Sequence, residues 1–203
     1  MHLGIVDDDA RLTENLRFLL QGEPDVQAVH TFASAEAFLA AQPRPELDFL
    51  LVDMNLPGLS GAELIARITE QPVKLGCLAY TLSVERQTVM AALQAGACGY
   101  VHKGGGYREL VGALHDLEAG GTPMSPGIAR QVLRQFQPLA RATPPSPATE
   151  GLSGPEQAVL QGLAQGQTCP TIAVALSVST DTVNRHVKQI YQKLRAQGQF
   201  TKL

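Results

Sequence analysis

Asp48-Phe49-Leu50-Leu51-Val52-Asp53-Met54-Asn55-Leu56-Pro57-Gly58 is the stretch that decides how this chain folds. Four consecutive apolar residues, closed by an aspartate and a proline–glycine turn, read as a strand buried on both faces, because a strand with one wet face would alternate. Working outward, similar short runs occur over 3–6, ending in Asp7-Asp8-Asp9, and over 26–30, 75–80 and 99–102, the last two followed by Thr81 and Lys103. Amphipathic segments separate them. One carries Leu12, Leu16, Leu19 and Leu20; a second runs from Ser34, a good N-cap, through Phe38 to Ala41; the others span 62–68, 84–95 and 107–118. Five strands alternating with five helices predict an α/β fold, a five-stranded doubly wound parallel sheet with helices on both faces. Chemistry in such sheets gathers beyond the carboxyl ends of the strands. Asp7, Asp8, Asp53, Thr81 and Lys103 are all expected on that rim.

The chain has 203 residues, 44% apolar and 17% charged, which fills two ordinary cores and argues against a wholly disordered protein. No run approaches the roughly 20 apolar residues that cross a bilayer, and the N-terminus turns acidic at once instead of continuing as a signal peptide. A cytoplasmic protein with no membrane partner is expected. Cys77, Cys98 and Cys169 are odd in number and form no CxxC pair, so neither a disulfide framework nor a zinc site is indicated. Charge divides the chain: residues 1–124 hold 8 Lys/Arg against 16 Asp/Glu, whereas 125–203 hold 8 against 3. An acidic first part and a basic second part suggest separate tasks, the second facing a polyanion.

The stretch 137–151, QPLARATPPSPATEG, contains four prolines and almost nothing to bury, so it reads as a semi-stiff spacer. A short helix over 126–136 should lead into it. The expected organisation is therefore a domain over 1–124, a helix and linker over 125–151, and a small all-α domain over 152–203. In the last, one helix begins at Ser153-Gly154-Pro155-Glu156 with Val159, Leu160 and Leu163 inward; a second starts near Pro170, capped by Thr168, with Ile172, Ala173 and Leu176. Ser179 caps a third helix, 180–195, with Val183, Val187, Ile190, Tyr191 and Leu194 on its inward face. The spacing of the last two is that of a helix-turn-helix. Thr182, Arg185, His186, Lys188, Gln189 and Lys193 line the polar side, a set suited to base edges and phosphates in a major groove. The plainer account is a solvated basic helix packed on its neighbour.

Carboxylates gathered in one crevice repel each other, and a hard divalent cation with oxygen ligands relieves that repulsion. Mg2+ fits best, held by Asp8, Asp53 and the backbone carbonyl of Asn55, with water and a phosphoryl oxygen completing the octahedron. Lys103 and the Thr81 hydroxyl then suit phosphoryl oxygens, and Asp53 is the credible nucleophile. Taken singly, Asp7 or Asp8 as a helix cap, Asp53 as a turn former, Thr81 as a cap and Lys103 as a solvated cation are equally ordinary.

Together, Ile5-Val6-Asp7-Asp8, the run from Asp48 to Gly61, Thr81, and Ala95-Gly96-Ala97-Cys98-Gly99-Tyr100-Val101-His102-Lys103 resemble the receiver domain of bacterial two-component response regulators over about the first 120 residues. The resemblance implies that Asp53 is the phosphate acceptor, Asp7 and Asp8 the magnesium-side carboxylates, Thr81 and Lys103 the phosphoryl contacts, and Tyr100 an aromatic switch. It also implies a sensor histidine kinase as donor. Tyr100 has a plainer reading as a partly buried aromatic that only packs. Leu82 departs from the pattern, since a small residue usually follows the threonine, and its bulk is expected to alter phosphorylation or dephosphorylation rates.

The C-terminal part is similar to the DNA-binding domain of LuxR/NarL-type regulators in Leu152-Ser153, Glu156, Val159-Leu160, Ile172-Ala173, Leu176, Val178-Ser179, Thr182-Val183, His186-Val187 and Lys193-Leu194. The resemblance implies that Asn184, Arg185 and Lys188 read the groove and that Thr182 and Lys193 touch the DNA backbone. Pro170-Thr171 replaces the usual basic–acidic pair. A fourth helix normally follows and helps pair monomers, whereas this sequence runs only nine residues past Leu194, so part of the usual dimer contact is expected to be missing. The favoured reading is a transcriptional regulator, not an enzyme beyond its own phosphorylation and acyl-phosphate hydrolysis at Asp53, which binds double-stranded DNA as a homodimer. The alternatives are a phosphoreceiver whose C-terminal module binds protein and, weakest, a hydrolase, for which no general base is in evident position.

Overall fold

The computed structural model describes residues 1–43, 45–71, 75–125, 127–128, 151–165, 167 and 169–196, with the side chains of 164, 181, 184, 188, 191, 192, 195 and 196 outside that description. The helix expected over 126–136, the linker over 137–151 and the cap at Thr168 therefore fall almost entirely outside the described residues. The chain forms two compact units, Met1–Pro123 and Met124–Leu203.

The first unit runs β1 (His2–Val6), α1 (Ala10–Leu20), β2 (Ala28–Phe32), α2 (Ala35–Ala40), β3 (Phe49–Val52), α3 (Gly61–Thr69), β4 (Gly76–Thr81), α4 (Arg86–Gln94), β5 (Gly99–His102), a 3-10 turn at Lys103–Gly105, and α5 (Tyr107–Glu118). The strands are all parallel, in the order β2-β1-β3-β4-β5. Winding reverses between β1 and β3, and the crevice beyond their carboxyl ends is where such sheets bind ligands.

The double-sided burial read from 49–52 explains the layers. Leu3, Ile5, Leu51, Leu78 and Val101 form one core with Leu16 and Leu20 of α1 and Leu110, Leu114 and Leu117 of α5. Alternation sends Leu50, Val52, Ala79 and Tyr100 to the opposite face. There α2, α3 and α4 contribute the buried Phe38, Leu64, Ile65, Ile68, Val89 and Leu93.

Two elements start two residues later than the sequence reading has them. β2 begins at Ala28, two residues late, because the Val26 N–H is used in a turn to Glu23 and the Gln27 N–H goes to the Met1 carbonyl. Pairing starts only at His2 opposite Ala28 and continues through Thr31 and Phe32, residues the apolar pattern passed over. Helix α4 starts at Arg86 rather than 84: Ser83 Oγ accepts the Glu85 N–H and donates to Thr88 Oγ1 inside the helix, so 83–85 form the entry to α4 and not its first turn.

In the second unit α6 (Gly154–Ala164), α7 (Cys169–Ala175) and α8 (Thr180–Ala196) surround a core that includes Val159, Leu160, Leu163, Ile172, Val183, Val187, Ile190 and Leu194. Helix α6 opens with a capping box between Ser153 and Glu156, with Pro155 in its first turn. Helix α7 ends in a Schellman turn: the Val178 N–H donates to Ala173, the Ser177 N–H donates to Val174, and Ser177 holds φ 55°. Ser179 then caps α8, its Oγ accepting the Thr182 N–H at 3.1 Å. This tight turn sets the angle between α7 and α8.

Candidate phosphoryl site and helix-turn-helix face

Strand β1 delivers Asp7 and β3 delivers Asp53 side by side, since Val6 pairs with Val52 and the Asp53 N–H donates to the Val6 carbonyl at 2.9 Å. Asp7 is 2% and Asp53 7% exposed, whereas Asp8 faces solvent. Carboxylate oxygens of the three lie within 4.8 Å of one another. From the far edge, the turn after β5 brings the Lys103 ammonium to 2.6 Å from Asp7 Oδ2 and 3.2 Å from Asp53 Oδ1, and 6.0 Å from the Tyr80 ring centre. Backbone completes the shell: the Asp9 N–H donates to Asp7 Oδ1, and the Asn55 N–H donates to Asp53 Oδ2 at 3.3 Å. Helix α3 abuts the site loop so closely that a Cβ at Gly61 would stand 2.1 Å from the Asp53 carbonyl oxygen, which only glycine permits.

Burial pushes the Asp7 carboxyl above its ordinary value, despite the Lys103 ammonium beside it and the hydrogen bond from the Asp9 N–H, and the charge of Asp53 adds to the rise. For Lys103, burial works against the ammonium, but Asp7 and Asp53 together raise it above its ordinary value. The Lys103 contact to Asp7 Oδ2 is one of charge, because that buried oxygen has no hydrogen-bond partner of acceptable geometry. An under-coordinated buried oxygen beside two further carboxylates is a hard-oxygen donor set, and it fits a divalent cation.

Thr81 is the last residue of β4 and fully buried; its Oγ1 accepts the Ser83 N–H at 3.3 Å. Tyr100, also fully buried, directs its hydroxyl to the Ser83 carbonyl at 2.7 Å. Its phenol is pushed up to about 12 by burial and by the charge of Asp53. The plainer alternative to a switch made it a partly buried aromatic; the ring is instead wholly interior, because β5 has α4 over its Tyr100 face. Leu82 turns outward, 66% exposed.

On the helix-turn-helix, Arg185 is exposed, Thr182 is half-buried with its hydroxyl 2.9 Å from Ser179 Oγ, and the side chains of Asn184 and Lys188 lie outside the described residues. Lys193, expected at the DNA backbone, sets its ammonium 2.7 Å from Glu156 Oε2. Glu156 is 2% exposed and also accepts the Ser153 N–H at 2.6 Å. Sequence reading gives Glu156 a place at the start of a helix and among the residues that carry the C-terminal resemblance, but no partner; a buried contact across 37 positions leaves no local signal.

The family of response regulator receiver domains matches residues 3–115, and that of bacterial regulatory proteins of the luxR family matches 150–201. The chain is 28% identical over 191 residues to the nitrate/nitrite response regulator protein NarL of Escherichia coli, covering 94% of this chain and 88% of NarL. It is 29% identical over 192 residues to the transcriptional regulatory protein UhpA of Salmonella typhimurium, covering 95% and 90%. Among solved structures, RcsB from Salmonella enterica serovar Typhimurium, bound to a promoter in the presence of the phosphomimetic BeF3-, superposes with a TM-score of 0.60 at 25% identity, covering 96% of this chain and 91% of RcsB. With the five-stranded parallel fold and the acidic rim in place, the chain belongs to the response regulators, a receiver domain followed by a luxR-family regulatory domain.

Proposed function

We propose that this DNA-binding transcriptional regulator is switched by phosphorylation of Asp53. A sensor histidine kinase in the cytoplasm is the donor: an Asp53 carboxylate oxygen forms a bond to phosphorus as the donor's bond to phosphorus breaks. Mg2+ held by Asp7, Asp8, Asp53 and the Asn55 carbonyl would neutralise phosphoryl charge when bound. Lys103 supplies a second positive charge, already aimed at Asp53, and Thr81 supplies a hydroxyl. Tyr100 couples to the same charge, so its hydroxyl bond to Ser83 is the natural place for the switch to act. The observation that carries this reading is the Lys103 ammonium lying within salt-bridge distance of both buried carboxylates.

At the other end, α8 meets double-stranded DNA through Asn184, Arg185 and Lys188, with Thr182 near the phosphates. Two copies on a two-fold site supply the affinity that one small basic module lacks. Intact-mass measurement after treatment with an acyl-phosphate donor and Mg2+ tests the first half: one phosphoryl group on the wild type and none on Asp53→Ala. A mobility-shift assay tests the second, with salt-sensitive binding strengthened by the donor. Phosphate on another residue, or DNA binding indifferent to it, overturns the respective half.

A further inference from the structure

His102 closes β5 immediately before Lys103, and its imidazole touches backbone on both sides. Nε2 lies 2.9 Å from the Leu82 carbonyl oxygen, and Nδ1 accepts the Gly104 N–H at 3.1 Å. A ring nitrogen that accepts carries no proton, so the proton sits on Nε2 and is donated to Leu82. Leu82 follows Thr81, and Gly104 follows Lys103. One ring therefore joins the loop that carries the threonine to the turn that carries the lysine.

Two further features make this a built contact. Tyr100 and His102, two apart on β5, share a face, and the Tyr100 hydroxyl holds the next carbonyl, that of Ser83, at 2.7 Å. Successive carbonyls of the loop are thus held by alternate side chains of one strand. Glycine at 104 makes the room, since a Cβ there would stand 2.5 Å from His102 Cε1.

We propose that His102 is a positioning residue for phosphoryl transfer: its Nε2-protonated imidazole fixes the Lys103 turn against the Thr81 loop. Thr81 ends β4 and Lys103 follows β5, and holding them at one separation preorganises the phosphoryl contacts before the reaction begins. The proposal rests on the reading of Asp53, Thr81 and Lys103 given above.

Two measurements on the full chain test it. Nitrogen-15 imidazole correlation spectra of the unphosphorylated protein should show His102 as the Nε2–H tautomer; the Nδ1–H form or an averaged mixture overturns the proposal. Initial rates of phosphoryl incorporation at Asp53 from acetyl phosphate and Mg2+, followed by intact mass, should fall about fivefold in His102→Ala and His102→Leu, the equivalent of one ordinary hydrogen bond. His102→Gln, whose amide nitrogen can reach the Leu82 carbonyl, should recover most of the loss. Leucine fills the space without donating, so Leu rescuing as well as Gln reduces His102 to packing and overturns the claim. Wild type unlabelled at Asp53 overturns the site reading and takes the positioning claim with it. Labelling at Asp53 with equal rates in all variants overturns the positioning claim alone.

Discussion

Two lysine–carboxylate clusters in this molecule share ingredients and differ in electrostatics. In the receiver, burial pushes the Asp7 carboxyl upward and the nearby Asp53 charge adds to it, with one lysine shared between the two. In the C-terminal unit, burial opposes ionisation of Glu156 as well, yet the Lys193 ammonium and the Ser153 N–H outweigh it and hold the carboxyl below its ordinary range. The difference lies in the ratio of donors to carboxylates. The first cluster is short of positive charge, a deficit suited to a cation and a phosphoryl group, while the second is satisfied and serves the fold.

The largest effect should come from breaking the satisfied pair. Lys193→Met leaves a buried carboxylate without its cation, and because the Lys193 side chain is 41% exposed the cost is discounted from that of a fully buried pair to about 2 kcal/mol. Amide exchange of α6 and α8 in the full chain measures it. Unchanged protection would erase the distinction between the clusters.

Next comes the opposite sign. Asp7→Asn removes a costly buried charge, so the receiver should become more stable by about 1 kcal/mol, a rise of a few degrees in melting temperature. The same variant should lose the stabilisation that millimolar Mg2+ gives the wild type. A receiver weakened by Asp7→Asn would mean that Lys103 already satisfies Asp7.

The pH dependence sharpens the contrast. Asp7 has its folded value raised above 3.8, so the gain from Asp7→Asn is full above that raised value, fades as pH falls through it, and is gone below 3.8. Glu156 has its folded value depressed below 4.5, so the penalty of Glu156→Gln is full above 4.5 and is lost only as pH falls through the depressed value. Difference unfolding curves of each variant against the wild type should therefore fade in that order on acidification. The reverse order would invert the assignment of the two environments.

Much of this was legible in the sequence. The rim positions of Asp7, Asp53 and Lys103 follow from the apolar runs that precede them in a parallel sheet, and Leu50, Leu51 and Val52 are buried as their unbroken apolarity requires. The start of β2 is not legible, because hydrogen bonds of Val26 and Gln27 set it and apolar periodicity does not. Glu156–Lys193 and His102–Leu82 are invisible in the sequence for a common reason. Each pairs residues distant in sequence, one of the second pair is a backbone carbonyl that any residue supplies, and neither disturbs a local pattern.

The smallest stability effect is expected at Leu82, and it separates side chain from backbone in the loop. The side chain is 66% exposed, so Leu82→Ala should alter stability by less than about 0.5 kcal/mol. The carbonyl held by His102 is retained whatever the side chain, so the loop stays anchored. A change in acyl-phosphate half-life in this variant must then arise from bulk at the rim, through the access of water or donor to Asp53, and such a change is the expected result. Equal half-lives would remove the Leu82 side chain from the chemistry and leave its carbonyl, tied to His102, as the whole of what that position contributes.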